Sequence, residues 1–139
     1  MYEVRPLTHE YLDELVKDAR AHDLHRAYYT EGSVALCLVE DERPVFAGGL
    51  VNLQWNRAEA WILPTPFFKT HVRLCLRYLR NFIPTMAETH GFTRIQATCV
   101  QGVSATLFEH LGFKYEGTMR KYGPNGETCT LYSRIMGAA

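Results

Sequence analysis

Leu107-Phe108-Glu109-His110-Leu111-Gly112-Phe113-Lys114-Tyr115-Glu116-Gly117 is the stretch on which the fold turns. Val103 to Leu111 reads as a short amphipathic helix, and past Gly112 the run Phe113 to Met119 reads as a strand. Gly123-Pro124-Asn125-Gly126 is a hairpin turn, and Thr128 to Ile135 returns as the last strand. Thr93 to Val100 forms another strand just upstream. The C-terminal third therefore runs strand, helix, strand, hairpin, strand.

Further toward the N-terminus lies the longest helix. Thr65 suits its N-cap and Pro66 its first position, where a missing N–H costs nothing. Val72, Cys75, Leu76, Leu79, Phe82, Ile83 and Met86 share one face at helical spacing. Pro84 predicts a kink or an end, because its ring clashes with the carbonyl four residues back, and Gly91 stands where a C-cap would be. Before this helix, Val34 to Val39 reads as a buried strand, and Asp41-Glu42-Arg43-Pro44 as a tight connection. Val45 to Trp55 is a second strand interrupted at Gly48-Gly49, Asn56-Arg57 a turn, and Ala58 to Leu63 a third strand. Tyr2 to Arg5 can make a short strand. Thr8 caps a helix carrying Tyr11, Leu12, Leu15 and Val16, and a second helical stretch spans roughly Asp18 to Tyr29. This order predicts an α/β fold, a single mixed β-sheet with helices on both faces.

With 139 residues and 47% hydrophobic composition the chain is one domain's worth and can bury a core without staples. Its 12% aromatic content excludes disorder. Fifteen basic residues balance fifteen acidic ones, which argues against nucleic-acid binding driven by phosphate neutralisation. No run approaches the ~18 apolar residues of a membrane span, and Met1-Tyr2-Glu3-Val4-Arg5-Pro6 has no signal character, so a cytoplasmic location is expected. Cys37, Cys75, Cys99 and Cys129 have no metal-ligand spacing and read as reduced core thiols. His22 and His25 lie three apart, but no third ligand accompanies them and no metal is expected.

The quoted stretch resembles the segment near the C-terminus of the GNAT superfamily of N-acyltransferases. There a short helix reading roughly Leu-Tyr-Glu-Lys-x-Gly-Phe precedes a strand with Glu-Gly and then a hairpin. Leu107, Glu109, Gly112, Phe113, Glu116 and Gly117 carry the match, with Pro124-Asn125-Gly126 at the expected distance. The resemblance implies a GNAT-like domain over residues 1–139 that uses acetyl-CoA to acylate an amine acceptor. Two marks of active members are missing. The glycines of their pyrophosphate loop fall on Val72 and Leu74, and the tyrosine that often protonates the leaving thiolate falls on Phe108. Gln101 replaces the asparagine that usually opens the short helix. Asp13-Glu14-Leu15 to His22-Asp23 and Trp61-Ile62-Leu63-Pro64-Thr65 are also similar to small bacteriophage proteins with a degenerate GNAT-like fold. That resemblance implies a catalytically inactive virion or accessory protein that binds a partner.

Under the acyltransferase reading, the resemblance implies that backbone groups of Ile62 and Leu63 pair with the pantetheine arm. Lys69, Thr70, His71, Val72 and Arg73 would meet phosphate at the helix start, where amides and the dipole favour anions. Lys69, Arg73, Arg77 and Arg80 fall within about an 80° sector of a continuous helix, at ~100° per residue. That stripe suits an anion site or an acidic partner, and equally a solvated face. Glu59 shares its strand face with Trp61 and Leu63 and can serve as general base if desolvated; an exposed Glu59 paired with Arg57 is the alternative. Ser104 and Cys99 sit near where a thioester would lie. Tyr115, with Tyr122 and Tyr132 as alternatives, can replace the hydroxyl missing at Phe108. Trp55 and Trp61 bracket the Asn56-Arg57 turn and read as hairpin anchors. Exposed sheet edges near the terminal hairpin leave room for a homodimer.

Overall fold

Thr8 starts the first helix by accepting a hydrogen bond from the Tyr11 amide at 3.1 Å, the bond an N-cap side chain supplies. In the computed structural model, which describes residues 1–19, 32–63, 65–100 and 105–137, strand β1 (Tyr2–Pro6) precedes this helix, α1 (His9–Ala19). Most of the second helical stretch expected over Asp18 to Tyr29 lies outside the described residues. Strands β2 (Ser33–Glu40), β3 (Arg43–Asn52) and β4 (Arg57–Ile62) form the predicted meander. Two residues join the first pair, Asp41 and Glu42 at φ of 51° and 67°; Leu53 to Asn56 join the second, with Trp55 and Asn56 at 55° and 60°. Consecutive left-handed residues match the twist of paired strands.

Three expectations about this meander change. The second turn is Trp55-Asn56, and β4 already includes Arg57. Trp55 is no anchor: it is 81% exposed, with the Arg57 guanidinium 5.1 Å from its ring centroid. Gly48-Gly49 does not interrupt β3, which pairs with β2 and β4 straight through it. The glycines instead admit close neighbours, since a Cβ at Gly48 would lie 3.2 Å from Leu79 Cδ2. The irregularity falls at the start of β3, where Pro44 opposes Val39 and Phe46 opposes Leu38, leaving Val45 as a bulge.

After β4 the predicted long helix arrives as two. Thr65 Oγ1 accepts from the Phe68 amide at 3.2 Å and donates to the carbonyl of bulged Val45 at 3.1 Å. It starts α2 (Pro66–Thr70), and α3 (Val72–His90) follows after His71. Pro84 does not end α3. Ile83 and Ala87, on either side of it, stay buried against the sheet, and the helix runs on to Gly91, which caps it at φ 72°. Strand β5 (Arg94–Val100), helix α4 (Ala105–His110), and strands β6 (Lys114–Met119) and β7 (Cys129–Ile135) complete one mixed seven-stranded sheet of order β1-β2-β3-β4-β5-β7-β6.

Alternation divides the core between the two faces. Leu36, Leu38, Phe46, Leu50, Ala58, Ala60, Ile95 and Ala97 meet Cys75, Leu79 and Ile83 of α3 and Phe108 of α4. Cys37, Val39, Ala47 and Leu63 meet Leu12 and Leu15 of α1. The predicted sheet with helices on both faces is the one observed. The cysteines are free, and burial pushes the Cys37 and Cys75 thiols up to about 12. Among the described residues, no helix is long and apolar enough to cross a membrane, and no three His, Cys, Asp or Glu side chains cluster as metal ligands.

Candidate functional site

Parallel strands β4 and β5 are joined by only three rungs, Arg57–Arg94, Ala58–Ile95 and Glu59–Gln96. Beyond Glu59 and Gln96 they part: Ala60 to Ile62 pair only with β3, and Ala97 to Val100 only with β7. Successive residues of a strand aim their amide and carbonyl at opposite edges. The Leu63 amide points to β3, donating to Ala47 O at 3.0 Å, so those of Ile62 and Ala60 point toward β5; the Ala60 amide serves the last rung, and that of Ile62 lies beyond it, in the seam. The backbone of Leu63 is otherwise engaged, because its carbonyl also accepts from Thr65 N at 2.9 Å. Of the two residues expected to present backbone there, Ile62 does and Leu63 does not.

Helices α2 and α3 follow β4 in the chain. His71 closes α2, its amide donating to Phe67 O at 2.8 Å, and opens α3, its carbonyl accepting from Cys75 N at 3.0 Å. Its ring stacks on Phe67 at 4.0 Å, and its Nδ1 lies 2.8 Å from Thr70 Oγ1. The His71 side chain makes no capping bond. The amides of Val72, Arg73 and Leu74 are therefore the donors that a helix start leaves without an intrahelical acceptor. A junction without glycine thus presents the same kind of donors a glycine loop would.

Beside that start, a cleft of about 710 Å³ between α3 and α4 is lined by Arg73, Leu76, Arg77, Arg80, Asn81 and His110. Among the described residues, none of these three arginines has a carboxylate partner. Arg80 Nε donates only to the His110 carbonyl, at 3.5 Å. The predicted stripe of four loses Lys69, which lies on α2 across the His71 break. Asn81 and His110 were not anticipated as its neighbours. His110 stood inside the quoted motif, but only the packing of α4 on α3 brings it here.

The two residues proposed for proton transfer are not brought together. Glu59 shares a rung with Gln96, which opposes Ser133 on β7; Tyr115 opposes Tyr132, which opposes Ala97. Ser133 and Tyr132 are consecutive, so Glu59 and Tyr115 lie on opposite faces. Tyr115 is 60% exposed on edge strand β6, its hydroxyl 2.7 Å from Thr118 Oγ1. Tyr122 is exposed as well. Tyr132 is buried beside Phe108, ring centroids 6.1 Å apart, and burial raises its pKa, with Cys99 adding to the effect. Glu59 is half-buried, and Arg57 does not pair with it but donates to Gln54 O. Ser104 and Gln101 lie outside the described residues.

Glu116 of the quoted motif has a structural part. It sits at a bulge in β6 and takes both terminal nitrogens of Arg94, at 2.6 and 2.8 Å, together with the hydroxyl of Ser133. One carboxylate thereby ties β5, β7 and β6. Arg94 first, and Ser133 second, hold its pKa down at about 2. A depressed folded pKa gives stability above the ordinary value of 4.5 that is lost as pH falls from 4.5 toward 2. The pair is about a third exposed, so the contribution is about 1 kcal/mol. Glu116→Gln is expected to melt below the parent at pH 6, with the gap closing between pH 4.5 and 2 in a melting-temperature series.

No protein-family model and no curated protein matches the chain. Solved structures do. The ribosomal-protein-S18-alanine N-acetyltransferase of Escherichia coli superposes with a TM-score of 0.74 at 16% identity, over 100% of this chain and 96% of that one. A Bacillus subtilis acetyltransferase in complex with CoA gives 0.74 at 13% identity, over 97% of each. An acetyltransferase of the GNAT family from Streptococcus pneumoniae gives 0.74 at 12%, over 99% and 100%. The chain has the GNAT fold.

Proposed function

We propose that this protein binds an acyl-coenzyme A in the seam between β4 and β5 and transfers the acyl group to an amine. The observation that carries the reading is the parting of the two strands after Glu59 and Gln96, which among the described residues leaves the Ala60 carbonyl and the Ile62 backbone without a partner on β5. An extended amide-bearing chain can pair with such an edge, as a strand would. Its phosphates would meet the amides of Val72, Arg73 and Leu74 and the guanidinium groups of Arg73, Arg77 and Arg80. Glu59, at the last rung, would accept the ammonium proton while the site orients amine and thioester. Tyr115, exposed on β6 and on the other face, is given no step.

A second reading, a catalytically silent GNAT-fold protein of the virion or accessory kind that binds a partner, is favoured by Phe108, which has no hydroxyl. Titration with acetyl-CoA, by calorimetry and thermal shift, tests both. Micromolar binding, about −8 kcal/mol, with acyl transfer that Glu59→Gln abolishes at unchanged affinity, is the expected result. Binding without transfer to any of a panel of primary amines would leave the second reading. No binding at millimolar acetyl-CoA would overturn the acyl-CoA site.

A further inference from the structure

Thr98 Oγ1 is a buried polar atom with no hydrogen-bond partner. Buried hydroxyls in folded proteins are nearly always bonded, so an orphan needs a reason. Its place in the sheet offers one. Thr98 stands on β5 two residues past Gln96, the last residue that pairs with β4. Residues two apart share a face, so Thr98 lies on the same side as Gln96 and Glu59, away from Ala97 and α3. Across the seam, the residue two past Glu59 is Trp61. Its indole is drawn the other way, donating to Ser33 Oγ at 2.8 Å and packing with the α1-side cluster. On the opposite flank, β7 sets Leu131 directly against Thr98, and Leu131 has no polar side-chain atom to offer. Thr98 thus stands just past the last rung that joins β4 and β5, on the face where Glu59 stands, with its hydroxyl unpartnered.

Resting on the acyl-transfer reading above, we propose that Thr98 Oγ1 accepts a hydrogen bond from the acceptor's nitrogen, and that the acceptor is a primary amine approaching from the α1 side. The nitrogen forms a bond to the thioester carbonyl carbon, and the carbon–sulfur bond breaks. The amine attacks in its neutral form, its ammonium proton having passed through Glu59 to solvent. The thiolate takes a proton from solvent, and the proton the nitrogen loses on attack passes to the Glu59 carboxylate, again ionised. A primary amine brings two N–H groups to this step, one to lose and one for Thr98 to hold throughout. A secondary amine brings one, and after losing it leaves Thr98 unpartnered again. An uncharged hydroxyl suits the task because it accepts an N–H without taking the proton.

The test compares Thr98→Val, Thr98→Ser and the parent, with benzylamine and N-methylbenzylamine as acceptors and thiol release from acetyl-CoA as the readout. The parent is expected to favour benzylamine. Thr98→Val should raise the KM for benzylamine about tenfold and erase the preference, with acetyl-CoA affinity and melting temperature held or raised; Thr98→Ser should behave as the parent. Unchanged acceptor kinetics in Thr98→Val would overturn the proposal and spare the acyl-transfer reading. Acetyl-CoA binding with transfer to neither amine would overturn the acceptor assignment alone, and no acetyl-CoA binding would overturn both.

Discussion

Gly49→Ala is expected to lower the melting temperature by about 10 °C. A Cβ there would sit 2.7 Å from the Val34 carbonyl oxygen, and 2.9 Å from both Ser33 Oγ and the Trp61 ring. None of the three can step aside alone. Val34 O belongs to the backbone of the neighbouring strand, and Ser33 Oγ is held between Trp61 Nε1 at 2.8 Å and Leu50 O at 3.2 Å. Alanine restricts the unfolded chain in its favour by at most about 1 kcal/mol. Overpacking a closed site costs up to about 3 kcal/mol, and the broken Trp61–Ser33 bond adds to that. At roughly 4 °C per kcal/mol for a domain of this size, the net falls near the stated shift. Gly117, where a Cβ meets nothing within 4 Å, supplies the control: Gly117→Ala should melt with the parent. A Gly49→Ala protein melting within 2 °C of the parent would show that β2 and β3 yield at this point.

The largest functional effect is expected from reversing the cleft charges. Arg73→Glu with Arg77→Glu should weaken acetyl-CoA binding more than 100-fold, because each guanidinium–phosphate contact is worth roughly tenfold and each reversal adds repulsion. Lys69→Glu, across the His71 break, should change it less than threefold. Calorimetric titration of the three proteins decides the matter. Equal losses from Lys69 and from the arginine pair would indicate general attraction rather than a phosphate seat in the α3–α4 cleft.

The meander, the Thr65 cap and the Gly91 cap were legible in the sequence because turn and cap chemistry is local: a few adjacent residues decide each. The break at His71 was not. No proline or glycine marks it; it comes from Thr70 and His71 bonding back to the carbonyls of Pro66 and Phe67 and from a ring stacked on Phe67. With it went Lys69 from the basic stripe. Pro84 misled in the other direction, since one lost amide bond mattered less than the buried face on both sides. The candidate site was legible by residue type and not by side. Whether Glu59 and Tyr115 share a face depends on the registers of β5 with β7 and β7 with β6, which no local pattern encodes. Thr98 gave no signal at all, because an orphaned hydroxyl is visible only once its neighbours are placed.

Three rungs are a narrow isthmus between a four-stranded and a three-stranded leaf. Helix α3 lies across both like the spine of a book, sharing one apolar cluster with Leu36 and Phe46 on one leaf and with Ile95 and Ala97 on the other. In such a binding, the angle between the leaves is set by the spine and by whatever stands between the pages. A molecule gripped there touches both leaves at once, so its affinity and the stiffness of the whole sheet become a single coupled quantity.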